Sequence, residues 1–160
     1  ADIKAIEAMM IKQKPNIKAF HEDNGQDLLL KGEVDVVLEY NGDIAQAMVE
    51  DEDIGFVIPK EGSQLNSDNL CIPKGAPRPK NAHAFINFMM KPEVAAANSN
   101  FVNYATGNAA SVALVDESVR NDPGVYPPPE VKAKLFPDLA ETDEFTRLLN
   151  RTWTRFTTGQ

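Results

Sequence analysis

Two acids and two aromatic residues occupy positions where a fold could gather them around a charged ligand. Tyr40 and Asp43 follow a strand-like run at residues 34–38. Asp68 precedes another short strand, and Tyr104 follows a helix. In open α/β sheets, ligands bind outside the carboxyl ends of the strands, where such residues converge. A carboxylate accepts the N–H donors of an organic ammonium, and a ring face attracts its charge. The pattern therefore favours a site for a cationic organic ligand.

Each of these residues also has a simpler interpretation that the pattern alone leaves open. Asp43 is well placed to be only the N-cap of a helix. Asp68 could be a turn residue, and Tyr104 could be a phenol at the edge of the core.

The sequence contains no arrangement typical of catalysis or metal binding. His21 and His83 lie far apart without metal-ligand spacing, and both are interpreted as solvated residues. Cys71 lies within an apolar run and is expected to be a buried, inert thiol. There is neither a glycine-rich phosphate loop nor a nucleophile elbow. We therefore expect a protein that is not an enzyme and uses no cofactor.

Composition points to a soluble globular protein of one domain or parts of two. The 160 residues are 42% hydrophobic and 25% charged, and 24 acidic against 16 basic residues give a net charge of −8. Such an acidic chain repels nucleic acid and anionic membranes, so no nucleic-acid partner is expected. The single cysteine excludes an intrachain disulfide. The first residue is not a methionine, which suggests a processed or partial chain.

Hydrophobic periodicity predicts strands that alternate with helices. The predicted strands are residues 34–38, 55–58 and 69–72, and the predicted helices are residues 2–13, 43–48, 82–89, 92 onward, 111–120 and 143–157. This order indicates an α/β fold with a mainly parallel sheet.

Seven sequence segments carry a resemblance to a known family. They are YNGD (40–43), IPKEG (58–62), DNLCIP (68–73), AFINFMMKPEV (84–94), YATGNAA (104–110), DPGVYPPPEVKAKLF (122–136) and RTWT (151–154). The run NDPGVYPP (121–128) is specific to this group. In these segments the chain resembles the periplasmic polyamine-binding proteins of ABC transporters, and most closely their putrescine-binding branch. The resemblance implies a type II periplasmic-binding-protein-like α/β fold, here partial, with elements of both lobes plus C-terminal helices.

The resemblance also implies roles for individual residues. Tyr40 matches a position where the family usually has a tryptophan against the ligand, and Asp43 matches the aspartate beside it. Asp68 matches the aspartate that receives a ligand ammonium, and Tyr104 matches a tyrosine that lines the cleft. Asn66 falls where the family carries an aromatic residue, so the surface against the methylene chain is weaker here.

The resemblance covers only the later part of the family's longer chains. It implies that residues 1–60 belong to the later part of lobe two and residues 61–112 to a returning part of lobe one. Residues 113–160 would be C-terminal helices passing back to lobe two. Such a chain would need either the missing N-terminal half or a second copy of itself to complete its sheets.

Two hypotheses for function follow. In the first, the chain is an extracytoplasmic solute-binding protein, or its C-terminal half, in the periplasm or anchored as a lipoprotein. It would capture a linear polyamine, above all putrescine, for an ABC permease. The alternative is a ligand-free interaction or regulatory module that kept the same scaffold. A polyamine titration distinguishes the two.

Overall fold

The computed structural model describes residues 2–159, which form mainly helices with one very small sheet. The helices are α1 (Ile3–Gln13), α2 (Gly25–Leu30), α3 (Asn41–Glu50), α4 (Pro79–Met89), α5 (Pro92–Val102), α6 (Glu117–Arg120), α7 (Pro129–Lys132) and α8 (Asp143–Thr158). Short 3₁₀ helices span Lys14–Asn16 and Ala109–Leu114, and the strands are β1 (Gln64–Leu65) and β2 (Phe136–Pro137).

The chain divides into two compact units. The first combines the residues up to Gly25 with those from Leu139 onward, and the second runs from Gln26 to Asp138. The lobe assignment expected from the sequence, with boundaries after residues 60 and 112, stays a prediction.

In the first unit, α8 packs its aromatic side chains against the loop that follows α1. The rings of Phe20, Trp153 and Phe156 have centroids 5.3–5.6 Å apart, and Phe156 is buried. Helix α8 begins after Thr142, whose side chain accepts a hydrogen bond from the backbone N–H of Phe145, and ends at Gly159 in a left-handed conformation. The helix predicted at residues 143–157 is confirmed.

Two charged side chains fasten the α1 region to the end of α8. Lys14 Nζ donates to the carbonyl oxygens of Phe156 and Thr157, at 2.5 and 3.0 Å. Arg155 donates to both carboxylate oxygens of Glu7, at 2.8 and 2.9 Å, and this bond lowers the pKa of Glu7 below its ordinary value. The lysine lies where the helix dipole favours a cation and supplies donors to carbonyls that have no helical partner.

In the second unit, the small core is built around α5 and the chain that follows it. Ala96, Val115, Val119 and Val125 form a buried cluster on which Tyr126 packs. The single helix predicted at residues 111–120 is wrong, because a 3₁₀ helix and α6 replace it. Between them Val115 adopts an extended conformation, which places its side chain in the core at 2% exposure.

The three predicted strands do not form. The structure places residues 34–38, 55–58 and 69–72 in irregular segments, and the only ladder among residues 2–159 is the parallel pair of β1 and β2. A strand needs a neighbour that pairs with its backbone, and no described segment takes that place. Cys71, expected to be buried within the third strand, is therefore exposed.

We predict that Lys14→Met destabilises the first unit by about 1–2 kcal/mol, because the substitution removes two charged hydrogen bonds from the end of α8. Trp153 is the single tryptophan of the chain and lies in this unit. Its fluorescence during denaturant unfolding therefore reports this loss. Lys12→Met, on the exposed last turn of α1, is the matched control. Equal stability of the two variants would show that the Lys14 contacts contribute nothing.

Candidate ligand-binding site

Tyr104 is positioned by the way in which α5 ends. Asn103, the first residue after α5, has a left-handed conformation with φ of 57°, which asparagine tolerates better than most residues. The buried hydroxyl of Ser99 in the last turn of α5 donates to the carbonyl oxygen of Tyr104. The chain therefore leaves the helix in a fixed direction, with Tyr104 as the first residue of the loop.

Asp43 lies at the third position of α3 and does not cap the helix. The N-cap is Tyr40, whose side chain makes no capping hydrogen bond. The expectation that Asp43 is the N-cap is therefore wrong. Its carboxylate instead lies in the first turn, where the helix dipole stabilises a negative charge.

The Tyr104 ring lies against the first turn of α3 at Gly42. There the carboxylate and the backbone N–H of Asp43 both act on the phenol. That N–H belongs to the first turn of α3, where backbone donors have no partner within the helix. Tyr104, in the loop after α5, thus faces the start of α3.

Gly42 allows this close approach. Gly42 is buried, and a Cβ built on it would collide with the side of the Tyr104 ring. Only a residue without a side chain lets the ring lie against the backbone of α3. The sequence analysis did not identify Gly42 as a site residue, although its place directly before Asp43 was the available signal.

The surroundings strongly favour the protonated phenol. Burial raises the pKa of Tyr104 well above its ordinary value, and the charge of Asp43 and the hydrogen bond to it raise it further. The carboxylate of Glu39 adds a weaker effect in the same direction. Glu39 is therefore a second acid near the phenol, which the sequence analysis also missed. This part of the structure has a negative potential that suits a cation.

The NDPGVYPP segment holds both parts of this arrangement in place. The side-chain amide of Asn41 donates to the carbonyl oxygen of Gly124 at 2.9 Å, which fixes the start of α3. The hydroxyl of Tyr126 accepts from the backbone N–H of Thr106 at 3.1 Å, which fixes the loop after Tyr104. The NDPGVYPP segment thereby fixes both the start of α3, which carries Asp43, and the loop that carries Tyr104.

The structure does not join the other predicted site residues to this pair. Tyr40 precedes Asp43 by three residues and is 49% exposed. Asn66 and Asp68 are exposed in the loop after β1, and within residues 2–159 neither hydrogen-bonds to Asp43 or Tyr104. Their part in a ligand site stays a prediction.

A groove of about 420 Å³ lies beside α3 but is not formed by the predicted residues. Its lining includes Asn41, Phe56 and Asp122. Among the described residues 2–159, no group of three or more histidine, cysteine or acidic side chains could hold a metal ion. Within the same range no helix combines the length and apolar character needed to cross a membrane.

We predict that the Tyr104 phenol ionises above pH 10. The Asp43→Asn substitution should lower the pKa of Tyr104, because it removes a nearby negative charge. An ultraviolet difference titration between the parent chain and Tyr104→Phe isolates this phenol among the three tyrosines. The midpoint should shift downward when the same comparison is made in the Asp43→Asn background.

The raised pKa of Tyr104 also affects the free energy of unfolding. Above pH 10 the folded protein retains the Tyr104 proton, whereas the unfolded chain loses it. The stabilisation from this phenol is therefore complete below pH 10 and declines as the pH rises further. Tyr104→Phe should remove that part of the decline. An identical alkaline decline in both proteins would contradict the raised pKa of Tyr104.

Sequence comparison places the chain in a known family. Residues 1–127 match the family described as bacterial extracellular solute-binding protein. A putrescine-binding periplasmic protein of Pseudomonas aeruginosa is 39% identical, over 99% of this chain and 45% of the relative. The putrescine-binding periplasmic protein of Escherichia coli is 34% identical, over 95% of this chain and 43% of the relative. The chain thus spans somewhat less than half the length of these relatives.

Solved structures agree with the sequence comparison. A spermidine/putrescine ABC transporter protein from Listeria monocytogenes superposes with a TM-score of 0.84 at 31% identity, over 98% of this chain and 48% of that one. The substrate-binding protein of a spermidine/putrescine ABC transporter from Streptococcus pneumoniae gives 0.79 at 29% identity, with 95% and 47% covered. The fold is therefore part of a periplasmic-binding-protein-type structure. The resemblance inferred from the sequence motifs is confirmed, and the chain belongs to the bacterial extracellular solute-binding protein family.

Proposed function

We propose that the chain forms part of an extracytoplasmic solute-binding protein that captures a linear polyamine, with putrescine as the first candidate, for import by an ABC transporter. The relatives are named as putrescine- or spermidine-binding periplasmic proteins. They are transport proteins rather than enzymes, and their names favour ligand capture over a ligand-free module.

The observation that carries the proposal is the acidic, aromatic site at the start of α3. Asp43 and Glu39 both act on the phenol of Tyr104. Tyr40, whose ring is half exposed, is the N-cap of α3 and stands between these two acids in sequence. Carboxylates beside aromatic faces are the groups that an alkylammonium requires.

The nearby Tyr104 phenol leaves the Asp43 carboxylate able to bind a ligand. An ionised carboxylate offers about four acceptor positions, and one hydroxyl can use only one of them. An ammonium group has three donors and could share those that remain. In this proposal Tyr104 orients the carboxylate, and Asp43 accepts one charged end of the diamine.

The second ammonium of a diamine needs its own acceptor. Asp68 is the proposed group, because its carboxylate is exposed and unengaged with the Tyr104–Asp43 pair. In the same proposal Asn66 lies near the methylene chain. Closure of two lobes would bring the acceptors together and bury the ligand. The closed form would then dock on the membrane permease.

We predict that Asp43→Asn and Asp68→Asn each weaken putrescine binding by about 1.5–3 kcal/mol, the cost of losing a hydrogen bond to a charged group. Isothermal titration calorimetry measures the loss. The titration is made on the chain alone and on the chain mixed with the half of the Pseudomonas aeruginosa relative that it does not match. Asp53→Asn, an exposed aspartate in the loop after α3, is the control.

The choice of ligands makes this test sharper. N-acetylputrescine retains the methylene chain but has only one ammonium, so it should bind much more weakly than putrescine. A neutral diol of equal length should not bind. Unchanged affinity in both aspartate variants, or equal heats from putrescine and the diol, would contradict the proposed site.

A further inference from the structure

The loop that begins at Tyr104 contains a closed ring of hydrogen bonds. The backbone N–H of Asn108 donates to Thr106 Oγ1 at 3.1 Å. The hydroxyls of Thr106 and Ser111 are 2.9 Å apart, and the Ser111 hydroxyl donates to the carbonyl oxygen of Asn108 at 2.7 Å. The ring of bonds therefore begins and ends on the backbone of Asn108, and two hydroxyl side chains close it.

The chemistry of the hydroxyl groups fixes the direction of every bond in this ring. A carbonyl oxygen only accepts, so the single hydroxyl hydrogen of Ser111 is used on Asn108. The hydrogen between the two hydroxyls must then come from Thr106, whose oxygen accepts from the Asn108 N–H. Ser111 is completely buried, so water cannot replace a partner that it loses. Removal of either hydroxyl therefore opens the ring.

Asn108 and Thr106 also tie the loop to neighbouring elements. The side-chain amide of Asn108 donates at 2.6 Å to the carbonyl oxygen of Met90, the C-cap of α4. Carbonyls at a helix end have no partner within the helix, so this bond completes α4 while it anchors the loop. The backbone N–H of Thr106 donates to the Tyr126 hydroxyl. With the bond from α5 to the Tyr104 carbonyl, the loop is held by α4, by α5 and by the NDPGVYPP segment.

The position of this loop decides where the Tyr104 ring lies. Tyr104 stands only two residues before Thr106 in the sequence. Its ring lies so close to α3 that a Cβ built on Gly42 would overlap it. A shift of the backbone that carries the ring would therefore break this contact. A side chain that is held in place before binding also costs less to order when the ligand arrives, and this raises the affinity.

We propose that Thr106 and Ser111 are positioning residues of the ligand site, whose paired hydroxyls hold the Tyr104 ring against α3 before a ligand binds. Neither hydroxyl contacts the ligand, and both act through Tyr104. The part of the proposal that concerns affinity rests on the proposed capture of a polyamine. The alternative is that the ring of bonds only stabilises the start of the 3₁₀ helix Ala109–Leu114, of which Asn108 is the N-cap.

Titration of the Tyr104 phenol tests the positioning without any ligand. Thr106→Val has nearly the same shape but no hydroxyl, so it should open the ring of bonds and release the tyrosine from α3. The midpoint of Tyr104 should then fall by roughly one pH unit, because the phenol loses burial and moves away from Asp43. Ultraviolet difference titration of each variant against the same variant with Tyr104→Phe isolates this midpoint. Ser111→Ala should lower it in the same way.

Two control variants separate the hydroxyl from other effects of substitution. Thr106→Ser retains the hydroxyl and should keep the midpoint of the parent, whereas Thr106→Val should not. Ser118→Ala, at an exposed serine of α6 in the same unit, is the matched control for Ser111→Ala and should also keep it. Equal midpoints in the valine and serine variants would overturn the proposal. So would a valine variant that loses stability to denaturant but keeps the parent midpoint, because the ring would then serve only the 3₁₀ helix.

Putrescine calorimetry on the same variants tests the consequence for affinity. Under the conditions in which the parent binds, Thr106→Val should weaken binding roughly 10-fold, about the cost of ordering one side chain on binding. Thr106→Ser should bind as the parent does. Equal affinity of parent and valine variant would overturn the role in ligand binding. A parent that gives no heat with putrescine, but whose Tyr104 midpoint falls in the valine variant, would support the positioning role and contradict polyamine capture.

Discussion

The candidate site depends on one contact, in which the Tyr104 ring lies against the start of α3 and its phenol is acted on by Asp43. The nearby carboxylate favours the protonated phenol. Because Tyr104 follows α5, the contact ties two helices that are distant in sequence. The absence of a side chain at Gly42 is what allows the ring to approach.

The rest of the second unit supports this contact from both sides. The core under α5 fixes the helix whose end directs Tyr104. The turn that begins at Asn121 holds the start of α3 through Gly124 and the loop after Tyr104 through Tyr126. The NDPGVYPP motif, which carries part of the family resemblance, therefore also has a structural role. It holds the start of α3 and the loop after Tyr104 in fixed positions.

Acidic charge relates this structure to the proposed function. The carboxylates near Tyr104 favour a cationic guest, in keeping with relatives named for putrescine and spermidine. The strand-like segments expose apolar side chains such as Val36 and Leu38, because they have no paired neighbour among residues 2–159.

The sequence by itself determined the family and the longer helices. It also named Asp43 and Tyr104 among five candidate site residues, without pairing them. Helical periodicity and capping are local, so α1, α4 and α8 could be predicted closely. The strands could not, because pairing depends on a partner rather than on the segment itself. Residues 34–38 have the composition of a strand and remain unpaired.

Only the tertiary structure decided which candidate site residues lie together. It places Asp43 in the first turn of α3 rather than at the N-cap, sets the Tyr104 ring against that turn and shows why position 42 is a glycine. It also left Cys71 exposed, because the strand expected to bury it does not form. These outcomes depend on contacts between segments far apart in sequence, and local patterns carry no information about such contacts.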